Sequence, residues 1–199
     1  MRITTLILAV MALGCKGEDE TDPKDKVAAC DVSGAICTFV GVAGEAMYAE
    51  EGLDRLDTQT YLPTDLEFAP DGSAYLVDFN NHRIRRVGTD GIVQTVTGTG
   101  MLGDGPEGGA LVAVWNHPTS LTFFSDDPDT MYVAAWHNSR INLVDLASGT
   151  LEWWAGTGGR QYGGDGGDKK EAILDLPSAV TTDDNGNLYI ADQANHLIR

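Results

Sequence analysis

The chain is short of positive charge. Lys and Arg number 13 against 30 Asp and Glu in 199 residues, a formal charge of -17. A phosphate-binding face needs a basic patch, and Arg83, Arg85 and Arg86 form the one dense basic cluster, so the composition argues against nucleic acid. Aromatics make up 8% of the residues and cysteines number 3. The one long apolar run, Ile3–Leu13, is too short for a spanning helix. Nothing matches HExxH, a nucleophile elbow or a Cys-His dyad. Acids are plentiful, but no spacing among them selects a catalytic pair.

Residues 1–14 pair one basic residue, Arg2, with that apolar run and a small Gly14, the pattern of an export signal. Ala12-Leu-Gly-Cys15 resembles a bacterial lipobox, which implies cleavage before Cys15 and its lipidation. The alternative is an ordinary secretory signal. Residues 15–32 follow as the lipidated Cys and an acidic tether; the stretch KGEDETDPKDK carries no apolar residue and cannot bury anything. Acyl chains on Cys15 imply attachment to a membrane without a spanning helix. Cys30 and Cys37 then remain as an even pair in an oxidising compartment, suited to a disulfide. Two buried free thiols are the alternative, and a metal site lacks nearby His partners.

From residue 33 to 199 the chain repeats itself. Leu62–Gly98 is answered element by element at offsets of 55 to 59 residues. Pro63, Pro118 and Pro177 correspond, as do Tyr75, Tyr132 and Tyr189. Asp78 answers Asp192 with Ala135 between them; Asn81, Asn138 and Asn195 correspond, and Arg83 answers Arg140. Each unit contains short alternating runs bounded by Asp-Gly and Asn-rich turns, which predicts four antiparallel strands. Units of this period cannot bury both faces alone and must stack. The expected blades span 62–98 and 118–156, with a partial blade at 177–199. Residues 33–41 align with a fourth strand and are expected to form an orphan outer strand.

Asn195-His196-Leu197, set in Leu176-Pro-Ser-Ala-Val180 and Gly186-Asn-Leu-Tyr-Ile-Ala-Asp192, resembles the NHL repeat. The resemblance implies an all-β fold, a β-propeller of NHL type. It also implies a closed ring of about six blades, completed only in a longer chain. The chain stops inside a third strand, which reads as the N-terminal part of a longer protein; the alternative is a half-ring that dimerises.

The resemblance implies a binding scaffold at the bacterial cell envelope, exported and lipid-anchored, with a protein or carbohydrate partner. The alternative it implies is a metal-dependent enzyme similar to the propeller amidating lyases or gluconolactonase-like hydrolases, with its site at the channel mouth. No cofactor is expected from motifs. Calcium is a candidate in the Gly-rich connectors through Asp104, Asp165 and Asp168, and zinc through histidines. The competing reading of these Gly-Asp runs is turn-making, with Asp bonded to its own backbone. Asp78, Asp192 and Arg83 are expected to do structural work, Arg83 pairing with Asp78. Leu111, Val114, Ile173 and Leu174 are expected to pack under the next inner strand. Trp136, Trp153 and Trp154 offer a platform for a sugar or protein, one of the adjacent pair facing outward; packing between blades is the alternative.

Overall fold

The computed structural model describes residues 33–199. The leader, Cys15, the tether and Cys30 lie outside them. Two compact units divide the chain, residues 1–38 and 39–199. Of the first, residues 33–38 are described: a turn and irregular chain, with Cys37 disulfide-bonded.

The second unit is built from antiparallel sheets. The first holds β1 (Leu53–Asp54), β2 (Pro63–Phe68), β3 (Ala74–Asp78), β4 (Arg83–Val87) and β5 (Ile92–Thr97), in the order β1-β5-β4-β3-β2. The second repeats it with β6 (Gly108–Gly109), β7 (Pro118–Phe124), β8 (Asp127–Ala135), β9 (Arg140–Asp145) and β10 (Thr150–Ala155), in the order β6-β10-β9-β8-β7. The third joins β11 (Pro177–Thr182), β12 (Leu188–Asp192) and β13 (Leu197–Ile198). The four expected strands are present in each of the first two sheets. Each gains a fifth, two-residue strand from the connector that precedes its Pro, which sequence reading took for loop.

Alternation explains the stacking. Along β8, Met131, Val133 and Ala135 enter the core against the first sheet, while Tyr132 and Ala134 enter the core against the third. Along β3, Tyr75 and Val77 face the second sheet, and Ala74 and Leu76 face a smaller cluster capped by Val40. Each fully buried aliphatic side chain contributes roughly 1.5–3 kcal/mol. Strands covered on both faces read as continuous apolar runs, as Ala74–Val77 and Met131–Ala135 do. The cores are joined at the inner strands by Thr64 Oγ1 donating to the Thr119 carbonyl (2.9 Å) and by the Leu121 N–H donating to Asp65 (3.0 Å).

Four expectations need correction. Residues 33–41 form no strand; they run as a turn and irregular chain, and the Gly41 N–H donates to the Arg55 carbonyl (2.9 Å) just after β1. Leu174 is buried as expected, but Leu111 is exposed, and the plug in the first connector is Trp115, whose indole N–H donates to Thr97 Oγ1 (3.1 Å). Trp153 and Trp154 do point to opposite faces, but both faces are covered: Trp153 packs against the first core and Trp154 against the second. Arg83 does not pair with Asp78, as described next.

Candidate functional site

In each repeat the turn between the second and third strands lies at the same end of the sheet as the connectors. The turns are single 3-10 turns, Phe79–Asn81, Trp136–Asn138 and Gln193–Asn195. Each closes on a left-handed residue, His82, Ser139 or His196. A second left-handed residue precedes each Pro: Leu62, His117 and Leu176, at φ 51, 57 and 53°. Such a conformation costs an L residue roughly 1–2 kcal/mol, so something must hold it.

A latch holds it. The N–H groups of Asn80, His137 and Ala194 donate to the carbonyls of Tyr61, Asn116 and Asp175, the residue before each left-handed one. Asp78 Oδ1 accepts from the Tyr61 N–H (2.7 Å) and Asp192 Oδ1 from the Asp175 N–H (2.7 Å). The Asn side chains reach across to the connectors: Asn81 to the Met47 carbonyl (3.0 Å), Asn138 to Gly103 (3.0 Å) and Asn195 to Gln161 (2.9 Å). Asp78 is fully buried with Arg85 at 3.8 Å. Burial pushes its carboxyl up, against the bonds from Tyr61 and Asn81 and the charge of Arg85. Asp192 pairs with Arg199 (3.2 Å), the counterpart of Arg85.

Arg83 instead lies over the Tyr48 ring (3.9 Å) and donates to the Thr99 carbonyl (2.6 Å). Its counterpart Arg140 lies over Trp153 (4.1 Å), donates to the Thr157 carbonyl and pairs with Asp104 (2.7 Å). Gly100 and Gly158 leave room for these guanidinium groups, on which an added Cβ would fall.

The calcium candidates do not converge. Asp104 serves Arg140, Asp165 serves Arg199 and Tyr162, and Asp168 caps the short turn Lys169–Glu171 through the Lys170 N–H (2.8 Å). Among the described residues no group of three or more His, Cys, Asp or Glu is gathered to hold a metal. The Trp trio does not converge either. Trp153 sits under Arg140, and Trp154 lies between Tyr132 (5.1 Å) and the Lys169 ammonium (4.3 Å).

Trp136 finds different company, which sequence reading missed. It stacks on His137 (4.0 Å, 19°), and Phe79 lies 6.2 Å from it. His117 packs against Phe79 (4.7 Å), His82 (4.6 Å) and His137 (5.0 Å). The cluster therefore joins the turns of two repeats to the connector residue before Pro118. Burial holds the imidazoles of His82, His117 and His137 below the ordinary histidine value. The charge of His117 adds to this at both neighbours, with Arg83 acting on His82 and Arg160 on His137. The signal available in the sequence was the His at the left-handed site of one repeat and the His-Pro of the next, one turn apart in space.

No family model matches the chain. It is 31% identical over 147 residues to teneurin-1 of Gallus gallus and 30% identical over 142 residues to teneurin-1 of Homo sapiens. Those stretches cover 69% and 68% of this chain but 5% of either relative, so the chain spans about a twentieth of their length. Among solved structures it resembles an auxiliary nutrient binding protein from Bacteroides ovatus, with TM-score 0.59 and 21% identity over 72% of this chain and 38% of that one. A putative phosphatase from Bacteroides thetaiotaomicron gives TM-score 0.60 and 22% identity over 73% of this chain and 35% of that one. The fold is that of a β-propeller. Its sheets are blades, and the latched turns and connectors make one face of the array.

Proposed function

We propose that the chain belongs to an NHL-repeat propeller that is exported, anchored to the bacterial envelope through Cys15, and acts as a binding scaffold. Its ligand, a carbohydrate or a protein, sits on the connector face against Phe79 and Trp136. One observation carries this reading. The Asn that recurs in each repeat, and the Asp and Arg that recur in two of the three, are occupied by structural contacts, whereas the side chains of the Phe79–His117–Trp136–His137 cluster meet at one seam and as a cluster have no counterpart in the other repeats. Half-buried aromatic rings beside polar tips suit sugar and peptide surfaces. The same connectors also carry exposed Met47, Tyr48, Tyr61, Leu62, Met101 and Tyr162. The nutrient-binding description of one structural neighbour is in keeping with a binding role.

A thermal-shift screen of the chain against oligosaccharides and peptides tests this. At least one ligand should raise Tm, and Phe79→Ala and Trp136→Ala should abolish the shift. Trp154→Ala, within the core, should lower Tm and leave the shift intact. A ligand whose shift survives both face variants would place binding elsewhere. Cys15→Ser should move the protein from the membrane fraction to the soluble one; unchanged partition would remove the lipid anchor.

A further inference from the structure

The seam carries a second feature that ligand stacking does not use. His117 Nδ1 lies 2.9 Å from Asn116 Oδ1 and 3.2 Å from His137 Nδ1, and His137 Nδ1 lies 3.2 Å from the same Asn116 oxygen. Three atoms able to act as acceptors therefore form a triangle with edges near 3 Å. A proton on one imidazole satisfies one edge of it. Two facing N–H groups across the His117–His137 contact would clash, so at least one nitrogen lone pair points inward. A triangle of lone pairs is stabilised by a cation at its centre.

We infer that His117 Nδ1, His137 Nδ1 and Asn116 Oδ1 form a binding site for a late first-row divalent ion, of which zinc, nickel and copper suit imidazole best. The dimensions fit. Bonds of roughly 2.0–2.1 Å set donor–donor edges of about 2.9 Å at a right angle and about 3.3 Å in a tetrahedron. The observed edges fall in that range. The donors are fixed before any ion arrives. His117 is held left-handed before Pro118, its ring is braced edge-on by His82, and the ring of His137 is stacked on Trp136. The backbone of Asn116 is tied by its N–H to Asn138 Oδ1 (2.9 Å) and by its carbonyl to the His137 N–H.

All three donor residues are partly exposed, which leaves the ion a path and open positions for water or a ligand. Metal ligation uses the neutral form of imidazole. Arg160, bonded to the His137 carbonyl (3.2 Å), and Arg83, beside His82, are the nearby opposing charges. The overall charge of -17 favours cation capture. The site draws on one connector and one turn of a single blade, and stands whether or not the face also holds a sugar or peptide.

The test is calorimetric titration of the chelator-stripped chain with zinc and, separately, nickel at pH 7.5. One ion per chain should bind with a dissociation constant in the micromolar range or tighter. His137→Phe keeps the stacked ring and removes the nitrogen, and His117→Asn keeps a residue that tolerates the left-handed conformation. Each should weaken binding at least about tenfold, the scale on which even outer-shell partners act. His196→Ala, at the left-handed site of the third repeat, should leave it unchanged. Circular dichroism checks the fold of each variant. If a variant unfolds, imidazole NMR on the native chain decides, since zinc must shift the His117 and His137 ring signals ahead of those of His196. No saturable binding by the native chain, binding undiminished in both variants, or a zinc-induced shift confined to other residues would each overturn the proposal.

Discussion

The first and second blades share a backbone plan and differ in what fills it. In the first, Asp78 and Arg85 are buried together, and Asp78 accepts the N–H of Tyr61. In the second, Ala135 replaces the acid and Asn142 the base, and Asn138 turns its oxygen to the N–H of Asn116 instead (2.9 Å). The charges are absent as a pair, which is the inexpensive way to lose a buried ion pair. The outer parts differ in the opposite sense. Glu51 and Glu107 each accept a backbone N–H beside the strand bulge, that of Thr95 (2.6 Å) or Trp153 (2.8 Å). With the small Thr95 there, the first blade keeps a groove of about 580 Å³. With Trp153 there, the second keeps about 180 Å³. A repeat thus fixes backbone partners and leaves side-chain volume and buried charge to vary in concert.

Breaking the first latch should have the largest effect. Asp78→Ala leaves Arg85, the Tyr61 N–H and Asn81 short of a partner, and should cost about 3–5 kcal/mol in urea unfolding. Adding Arg85→Asn, so that the first blade copies the second, should restore about 1–3 kcal/mol through coupling. Additive losses would mean that the two blades are not alternative solutions to one problem. Trp153→Ala should cost about 2–3 kcal/mol, below the range for a fully buried Trp because this one is half-buried. Thr95→Ala, in the open groove, should cost less.

The repeat was legible because strand alternation and the Pro, Asn and Asp-Gly positions act locally. The strands β3, β4 and β5 follow directly from their apolar runs and turns. The two-residue strands β1 and β6 were not legible. Leu53–Asp54 and Gly108–Gly109 carry no strand pattern and are extended only because an outer edge offers them partners. The partner of Asp78 was misplaced: it is Arg85, not Arg83. Arg83 and Arg85 stand on the same strand face, and the choice between them depends on Tyr48, which sequence places in a connector of unspecified path. The histidine cluster was hidden for a similar reason. His117 and His137 belong to a connector and a turn of the second blade, and the stacking of the first blade against it brings His82 alongside.

That cluster gives a smaller and reversible prediction. The three imidazoles titrate below the ordinary value near 6.5 when folded, so the unfolded chain binds more protons. Their contribution to stability is present above about pH 6.5 and is lost as pH falls through the lowered folded values. Unfolding midpoints should fall between pH 7 and 5, and His137→Phe should flatten that slope. An unchanged slope would mean that the carboxylates dominate it.

The central claim is a division of labour on one face: latches hold the fold, and the aromatic seam is left for binding. Urea unfolding of Trp136→Ala beside Asp78→Ala tests it most directly. The account predicts a loss of about 1 kcal/mol or less for Trp136→Ala, the scale of a residue outside the core, against several for Asp78→Ala. Comparable losses in the two variants would make Trp136 part of the structural framework and contradict the division.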